Sequence, residues 1–198
     1  KHSWKYNCEK CSECGKTRPE EHKLVNDICS VCGHGFFTDT DGKRYKVMRI
    51  GNQIIMSQNY AKKPETGNFW IYDNSSSKYS KYGYLYDFQT AKDIAPEGWH
   101  IPTKEEWGVM CNELKMHFRN VYENLKITGN SGFDCLFSGW RNTRGAFNGE
   151  NASAHFWTCC EIDENFAMHM MISAYKRKYE FEKTNKLKGL SVRYFKNI

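Results

Sequence analysis

Five cysteines within the first 32 residues constrain the fold of this chain more than any other feature. Four of them form two C-x-x-C-G turns, Cys11-x-x-Cys14-Gly15 and Cys29-x-x-Cys32-Gly33, with 14 residues between the turns. This spacing is typical of four thiolates around one tetrahedral zinc ion, and the glycines permit a tight turn behind each second thiolate. A segment of about 35 residues has too little apolar material to fold alone, so the metal would supply folding energy. We therefore expect a zinc-ribbon-like module over residues 1–37, with Cys11, Cys14, Cys29 and Cys32 as ligands.

The ligand set and the oxidation state leave alternatives open. Cys8 lies three residues before Cys11, and His22 lies between the two turns, so either could replace one of the four ligands. Two disulfides would also use four cysteines, although nine cysteines in the chain leave one thiol over in any scheme made only of disulfides. His2-x-Trp4 before the first turn and His22-x-Leu24 before the second indicate a degenerate duplicated unit.

Composition and charge exclude several classes of protein. Hydrophobic residues make up 39% and aromatic residues 15% of the chain, which is typical of a folded domain. The longest apolar run, residues 166–174, is far shorter than the roughly 20 residues of a membrane-spanning helix. The net charge is +6 without a dense basic block, and Glu180 and Glu182 interrupt the densest basic segment, residues 176–188. That segment is interpreted as a solvated hairpin edge, so we do not expect nucleic acid as a partner.

The larger part of the chain, residues 38–198, has the pattern of an α+β domain. Gly51-Asn52 separates two β-prone runs and predicts a hairpin of residues 44–50 and 53–57. One helix is predicted over residues 87–95. A second begins at Thr103 with a Thr-x-x-Glu capping box, and apolar residues then recur at helical spacing as far as Phe118.

After residue 130 the pattern predicts short strands, at residues 133–137, 155–160, 166–173, 176–182 and 190–196. The serine-rich stretch 73–80 is interpreted as a loop. We expect a buried core thiol at Cys111 and largely buried rings at Trp99, Trp107 and Trp140.

Six motifs occur in order along residues 38–198. They are Asp41-Gly42-Lys43-Arg44-Tyr45, Ile50-Gly51-Asn52-Gln53, Gly83-Tyr84-Leu85-Tyr86, Gly98-Trp99-His100-Ile101-Pro102-Thr103 followed by Glu106-Trp107, Gly139-Trp140-Arg141-Asn142, and Gly189-Leu190-Ser191-Val192-Arg193. This region resembles the Fibrobacter succinogenes major paralogous domain, also called FISUMP. The resemblance implies a C-type-lectin-like fold related to formylglycine-generating enzymes. The residue pattern itself predicts the two helices and the β-rich second half of this domain. The resemblance also implies an exported or lipid-anchored bacterial surface protein, in a family without an assigned biochemical function.

Two other features have a structural interpretation. Cys159 and Cys160 depart from the family pattern, and because adjacent strand residues point to opposite faces we expect one buried and one exposed thiol. Asp39-x-Asp41-Gly42 is interpreted as a hairpin turn, since the rest of a calcium-binding loop is missing.

The sequence thus predicts a non-enzymatic, surface-exposed binding or adhesion-type protein with a structural zinc module. The ligand is unknown, with a glycan or a protein as candidates, and the predicted ligand-binding residues are in the glycine-rich loop 139–149. They are Arg141, Asn142, Arg144 and Asn148. Two alternatives are an intracellular zinc-ribbon adaptor that contacts protein or nucleic acid, and a cysteine-dependent redox or copper enzyme related to formylglycine-generating enzymes. The sequence leaves a cytoplasmic location and the oligomeric state open.

Overall fold

The structure is a computed structural model that describes residues 23–25 and 27–198. The chain is α+β, as predicted, with four α-helices and three β-sheets in this described part. Cys8, Cys11, Cys14 and His22 lie outside the described residues. The described chain forms two compact units.

The first unit contains the described residues up to Gln58, together with Gly108–Cys135 and Lys196–Ile198. Its sheet has the order β1-β2-β3-β4-β5-β13. The strands are β1 Leu24–Val25, β2 Ile28–Cys29, β3 Gly35–Thr38, β4 Arg44–Ile50, β5 Gln53–Met56 and β13 Phe195–Asn197. The predicted hairpin at Gly51-Asn52 is confirmed, with Ile50 paired to Gln53. Strand β3 includes residues on both sides of the predicted domain boundary between residues 37 and 38. The division into these two domains stays a prediction.

The turn at Asp39 is the predicted hairpin turn between β3 and β4. The Asp39 carboxylate accepts hydrogen bonds from the backbone N–H groups of Asp41 at 3.0 Å and Lys43 at 2.8 Å. Thr38 pairs with Arg44 across it. The carboxylate therefore closes the turn by bonding its own backbone.

The second unit contains Asn59–Trp107 and Leu136–Phe195. Its main sheet has the order β12-β11-β10-β8-β9, and β6 and β7 form a separate pair. The strands are β6 Phe69–Trp70, β7 Leu85–Tyr86, β8 Ser138–Arg141, β9 Phe147–Glu150, β10 Ser153–Glu161, β11 Phe166–Ser173 and β12 Lys178–Asn185. The helices of the chain are α1 Ser76–Tyr82, α2 Phe88–Asp93, α3 Lys104–His117 and α4 Val121–Leu125.

The capping box of α3 is confirmed. Thr103 Oγ1 accepts from the Glu106 N–H at 3.0 Å, and Glu106 Oε2 accepts from the Thr103 N–H at 2.8 Å. The His100 ring contacts the other oxygen of Glu106 at 2.8 Å, which fits a structural role for His100. These bonds satisfy backbone donors that a helix start otherwise leaves unpaired.

Aromatic residues fill the core of the second unit on both sides of β10. The Trp107 ring packs against Phe156 and Phe195, with ring centroids 5.8 and 4.8 Å apart. Trp157 packs against Phe88 and donates its indole N–H to the Tyr86 carbonyl at 2.8 Å. The predicted burial of Trp99 and Trp107 is confirmed, and Cys111 is buried as expected, whereas Trp140 is buried only in part.

Three predicted elements were wrong. Residues 73–80 are not all loop, since Ser76–Tyr82 is helical and buries Tyr82. Residues 133–137 form no strand and make only a single bridge at Cys135. In the segment 190–196, Leu190 and Ser191 make single bridges and the strand starts at Phe195. In each case tertiary packing overrides local composition.

Candidate functional site

The predicted binding loop is the connection between β8 and β9. Trp140 pairs with Asn148 in this hairpin, and Arg141 pairs with Phe147. Because side chains alternate along a strand, Trp140 and Asn148 lie on one face and Arg141 and Phe147 on the other. The four predicted ligand-binding residues therefore do not form one group.

The Arg141 face of the hairpin is filled by packing. The Arg141 guanidinium lies 4.3 Å from the centroid of the Trp70 ring. Arg141 and Gly189 exchange two backbone hydrogen bonds of 2.9 Å, and a Cβ at Gly189 would lie 2.7 Å from an atom of the Trp70 ring. Glycine at position 189 thus allows the indole to lie against this backbone pair. On the same face, Phe147 packs against Tyr72.

Two amides of the loop hold the turn itself. The Asn142 side-chain oxygen accepts from the N–H groups of Arg144 and Ala146, both at 2.9 Å. The Asn148 amide donates to the Ala146 carbonyl at 3.1 Å. Arg144 is exposed, and its guanidinium makes no hydrogen bond or ion pair with the described residues.

The opposite side of the hairpin, which we call the Trp140 face, comprises Trp140, Asn148 and Lys188. The Trp140 ring is partly exposed, and the Lys188 ammonium lies 4.3 Å from its centroid. The indole N–H of Trp140 donates to no described residue. An exposed aromatic ring beside a cation is a common element of ligand-binding surfaces.

A chain of hydrogen bonds lies directly behind the Trp140 face. The His155 ring packs 6.0 Å from that of Trp140, and its Nδ1 lies 3.0 Å from Nε2 of His169. His155 Nε2 contacts the Ser153 hydroxyl at 2.9 Å, and His169 Nδ1 contacts the Glu182 carbonyl at 3.0 Å. These hydrogen bonds link strands β10, β11 and β12.

The Glu182 carbonyl, at one end of this chain of hydrogen bonds, determines the tautomers of His169 and His155. A carbonyl only accepts, so His169 Nδ1 carries a proton and its Nε2 accepts from the Nδ1–H of His155. His155 Nε2 is then an acceptor and faces the hydroxyl of Ser153. The arrangement has the form of a nucleophile, a base and an orienting group.

The electrostatics of this chain of hydrogen bonds disfavour His155 as a general base. Burial, the neighbouring His169 and Lys188 lower the pKa of His155 to about 3, and burial lowers the pKa of His169 to about 4. Forming an imidazolium here would cost about 5 kcal/mol more than for a histidine in water. An effective general base has a pKa near the working pH. The structure therefore favours a structural role, in which neutral histidines cross-link three strands.

Lys188 carries a charge that the described residues do not compensate. Its ammonium makes no ion pair or hydrogen bond with them. Burial lowers the pKa of Lys188, although the charge of Glu182 opposes this effect. The lysine is thus partly removed from water without an acidic partner.

Cys159 and Cys160 lie at an irregularity of β10, where the register with β11 shifts between Trp157 and Glu161. Cys159 is exposed and Cys160 half-exposed, so the expectation of one buried thiol was wrong. Strand alternation fails here because the extra residues of β10 have no partner across the ladder. Partial burial of the sulfur and the neighbouring Cys160 raise the pKa of Cys159 to about 11. Its reactive thiolate is therefore scarce at neutral pH.

The second predicted zinc turn lies within the described residues. Cys29 and Cys32 are both 2% exposed and belong to one buried cluster. Gly33 donates its N–H to the Cys29 carbonyl at 2.9 Å and has a φ of 73°, a conformation that favours glycine. This close turn fits two ligands of a tetrahedral metal site. Among residues 23–25 and 27–198, no group of three or more His, Cys, Asp or Glu side chains is placed to hold a metal ion.

Comparison with known proteins identifies the family. The sequence model of the Fibrobacter succinogenes major domain family matches residues 44–196, so the chain belongs to this family. Searches of curated proteins and of solved structures gave no match. Within the described residues, no helix is long and apolar enough to span a membrane.

Sequence reasoning did not find Lys188, His155 and His169. The histidines are 14 residues apart, and only the pairing of β10 with β11 brings them together. The alternation His155-x-Trp157 was a usable signal for one face of a strand. No local signal shows that Lys188 lacks an acidic partner among the described residues.

Proposed function

We propose that this chain is a non-enzymatic binding protein that holds a polar ligand, such as a glycan, on the Trp140 face and the adjoining loop. The single observation that carries the proposal is the partly exposed Trp140 ring, with an unused indole N–H and an uncompensated Lys188 beside it. Aromatic rings contribute contact area, and fixed donors give orientation to a polar ligand. Arg144 extends the donor surface at the loop tip.

A binding experiment on a glycan array tests this proposal. Wild type is compared with Trp140→Ala, Arg144→Ala and Asn148→Ala, and Arg119→Ala serves as a matched control at an exposed arginine of the first unit. We expect Trp140→Ala to abolish binding, Arg144→Ala to weaken it, and Arg119→Ala to leave it unchanged. If a glycan binds and no change in the loop weakens it, the site lies elsewhere.

The fold that we propose for the family domain is C-type-lectin-like. Support comes from the order of elements, with helices α2 and α3 before the β-rich stretch from β8 to β12. Connecting loops in such an arrangement can vary without disturbing the core, which suits a binding role.

We further propose that the protein is exposed on a bacterial surface, which protease treatment of intact cells would test.

The N-terminal segment is proposed to be a zinc-ribbon-like module with Cys11, Cys14, Cys29 and Cys32 as ligands. Its support is the buried, tightly turned pair Cys29 and Cys32. Bound zinc would hold the module together, because a segment this short has little core of its own. We expect about one zinc per chain by elemental analysis, and unfolding of the module in Cys32→Ser. Disulfides among these cysteines in mass spectrometry would overturn the assignment.

A further inference from the structure

In the basic segment at residues 176–188, all lysines except Lys188 form ion pairs with acidic side chains. Lys176 and Lys178 both contact Glu180, at 2.9 and 2.7 Å. Lys183 contacts Asp163 at 3.3 Å, and Lys186 contacts Glu161 at 2.5 Å. Lys188 has no such partner among the described residues, although it is less exposed than several of these lysines.

Lys188 is partly buried, and no acidic side chain of the described residues lies within ion-pair distance of it. The charged and titratable groups near it are His155 and His169, which are neutral, and Glu182, which lies beyond ion-pair distance. Its only close attraction in the described chain is the face of Trp140. A partly desolvated cation without an acidic partner is stabilised by a bound anion, so this position is suited to one.

The other groups available at this surface are also donors. The indole N–H of Trp140 and the guanidinium of Arg144 are unused by the described residues. The Trp140 indole N–H and the Lys188 ammonium are both donors of the Trp140 face, and Arg144 lies exposed at the tip of the adjoining β8–β9 loop. A ligand that complements the Trp140 face has an anionic, acceptor-rich group and a flat apolar face.

We infer that the ligand of the Trp140 face is an acidic saccharide, with its carboxylate paired to Lys188 and its sugar ring in contact with the exposed part of the Trp140 side chain. This inference rests on the proposed function and names the class of glycan. It predicts that charge, rather than ring shape alone, selects the ligand.

Calorimetric titration with a galacturonic acid oligomer and its methyl ester tests the inference. The two probes share ring and length, and esterification removes the charge. At about 20 mM salt we expect the full chain to bind the acid about tenfold more tightly than the ester, since one charge-assisted pair is at stake. Lys188→Met should remove this difference, Lys188→Arg should keep it, and the matched control Lys178→Met should leave it unchanged.

Each other outcome has a defined meaning. Equal binding of acid and ester, or a preference that survives Lys188→Met, would overturn the inference and leave glycan binding intact. Binding of poly-glutamate with the same dependence on Lys188, without binding of the oligomer, would replace the saccharide by an acidic peptide and overturn the inference. If neither oligomer nor any glycan of the array binds, the proposed function fails as well.

Discussion

The two ends of strand β10 differ in whether their charged side chains have partners of opposite charge. At its last residue, Glu161 lies in solvent between Lys92 at 2.7 Å and Lys186 at 2.5 Å. Hydrogen bonds from Lys186 and Lys92 lower the pKa of Glu161 to about 2. Near its first residue, burial keeps His155 and His169 neutral, and Lys188 has no acidic partner in the described chain.

The charges at one end of β10 stabilise the fold, and the charge at the other end does not. The ion pairs at the Glu161 end hold exposed side chains of α2, β10 and the segment after β12 together at low cost. At the Trp140 end, the fold removes water without adding a compensating charge. This difference is the reason why we propose the Trp140 face, and not the Glu161 end, as the binding surface.

The largest expected effect is a loss of stability in acid, caused by His155 and His169. His155 and His169 are neutral in the folded chain but protonate near pH 6.5 once unfolded. The unfolded state then binds more protons, so the free energy of unfolding falls as the pH drops from about 6.5 towards 4. The pair should cost on the order of 5 kcal/mol at pH 4.5. The Glu161 end loses its stabilisation in a lower window, from about pH 4.5 to about 2.

Denaturant unfolding across this pH range measures the effect. In the variant with both His155→Gln and His169→Gln, the fall between pH 6.5 and 4.5 should be much shallower. If that variant does not fold, the ring-proton chemical shifts of the wild-type histidines give the same information. Titration of either ring near pH 6.5 in the folded protein would contradict the account.

Local signals in the sequence were sufficient for some of these features. The capping box at Thr103 and the turn at Gly51-Asn52 each depend on a few adjacent residues, and both are present. Helix α1 was missed because serine-rich segments have low helix propensity, and Tyr82 stabilises it through packing with Tyr72. The histidine pair and the isolated charge of Lys188 depend on strand register and on which acid reaches which lysine. Spacing along the chain does not determine either.

A smaller effect is expected from removing one of the compensated cations. Lys186→Met should lower the melting temperature by about 1–3 °C at low salt, because Glu161 loses a partner. High salt should remove much of the difference from wild type. A melting temperature that is unchanged at low salt would show that this network does not stabilise the sheet.

The smallest effect is expected from the uncompensated cation. Lys188→Met should leave the melting temperature unchanged or raise it slightly, since a partly buried charge without a partner is replaced by an apolar side chain of similar length. Thermal unfolding beside Lys186→Met makes the comparison direct. A clear loss of stability in Lys188→Met would mean that the ammonium has a structural role.

The most direct test of the account is a map of NMR chemical-shift changes during titration with the galacturonic acid oligomer. We expect the largest shifts at the Trp140 indole N–H, Asn148 and Lys188, with little change at Lys178 and Lys183. Shifts concentrated at Lys178 and Lys183, with the indole of Trp140 unaffected, would contradict it, because binding would then follow exposed charge and not the Trp140 face.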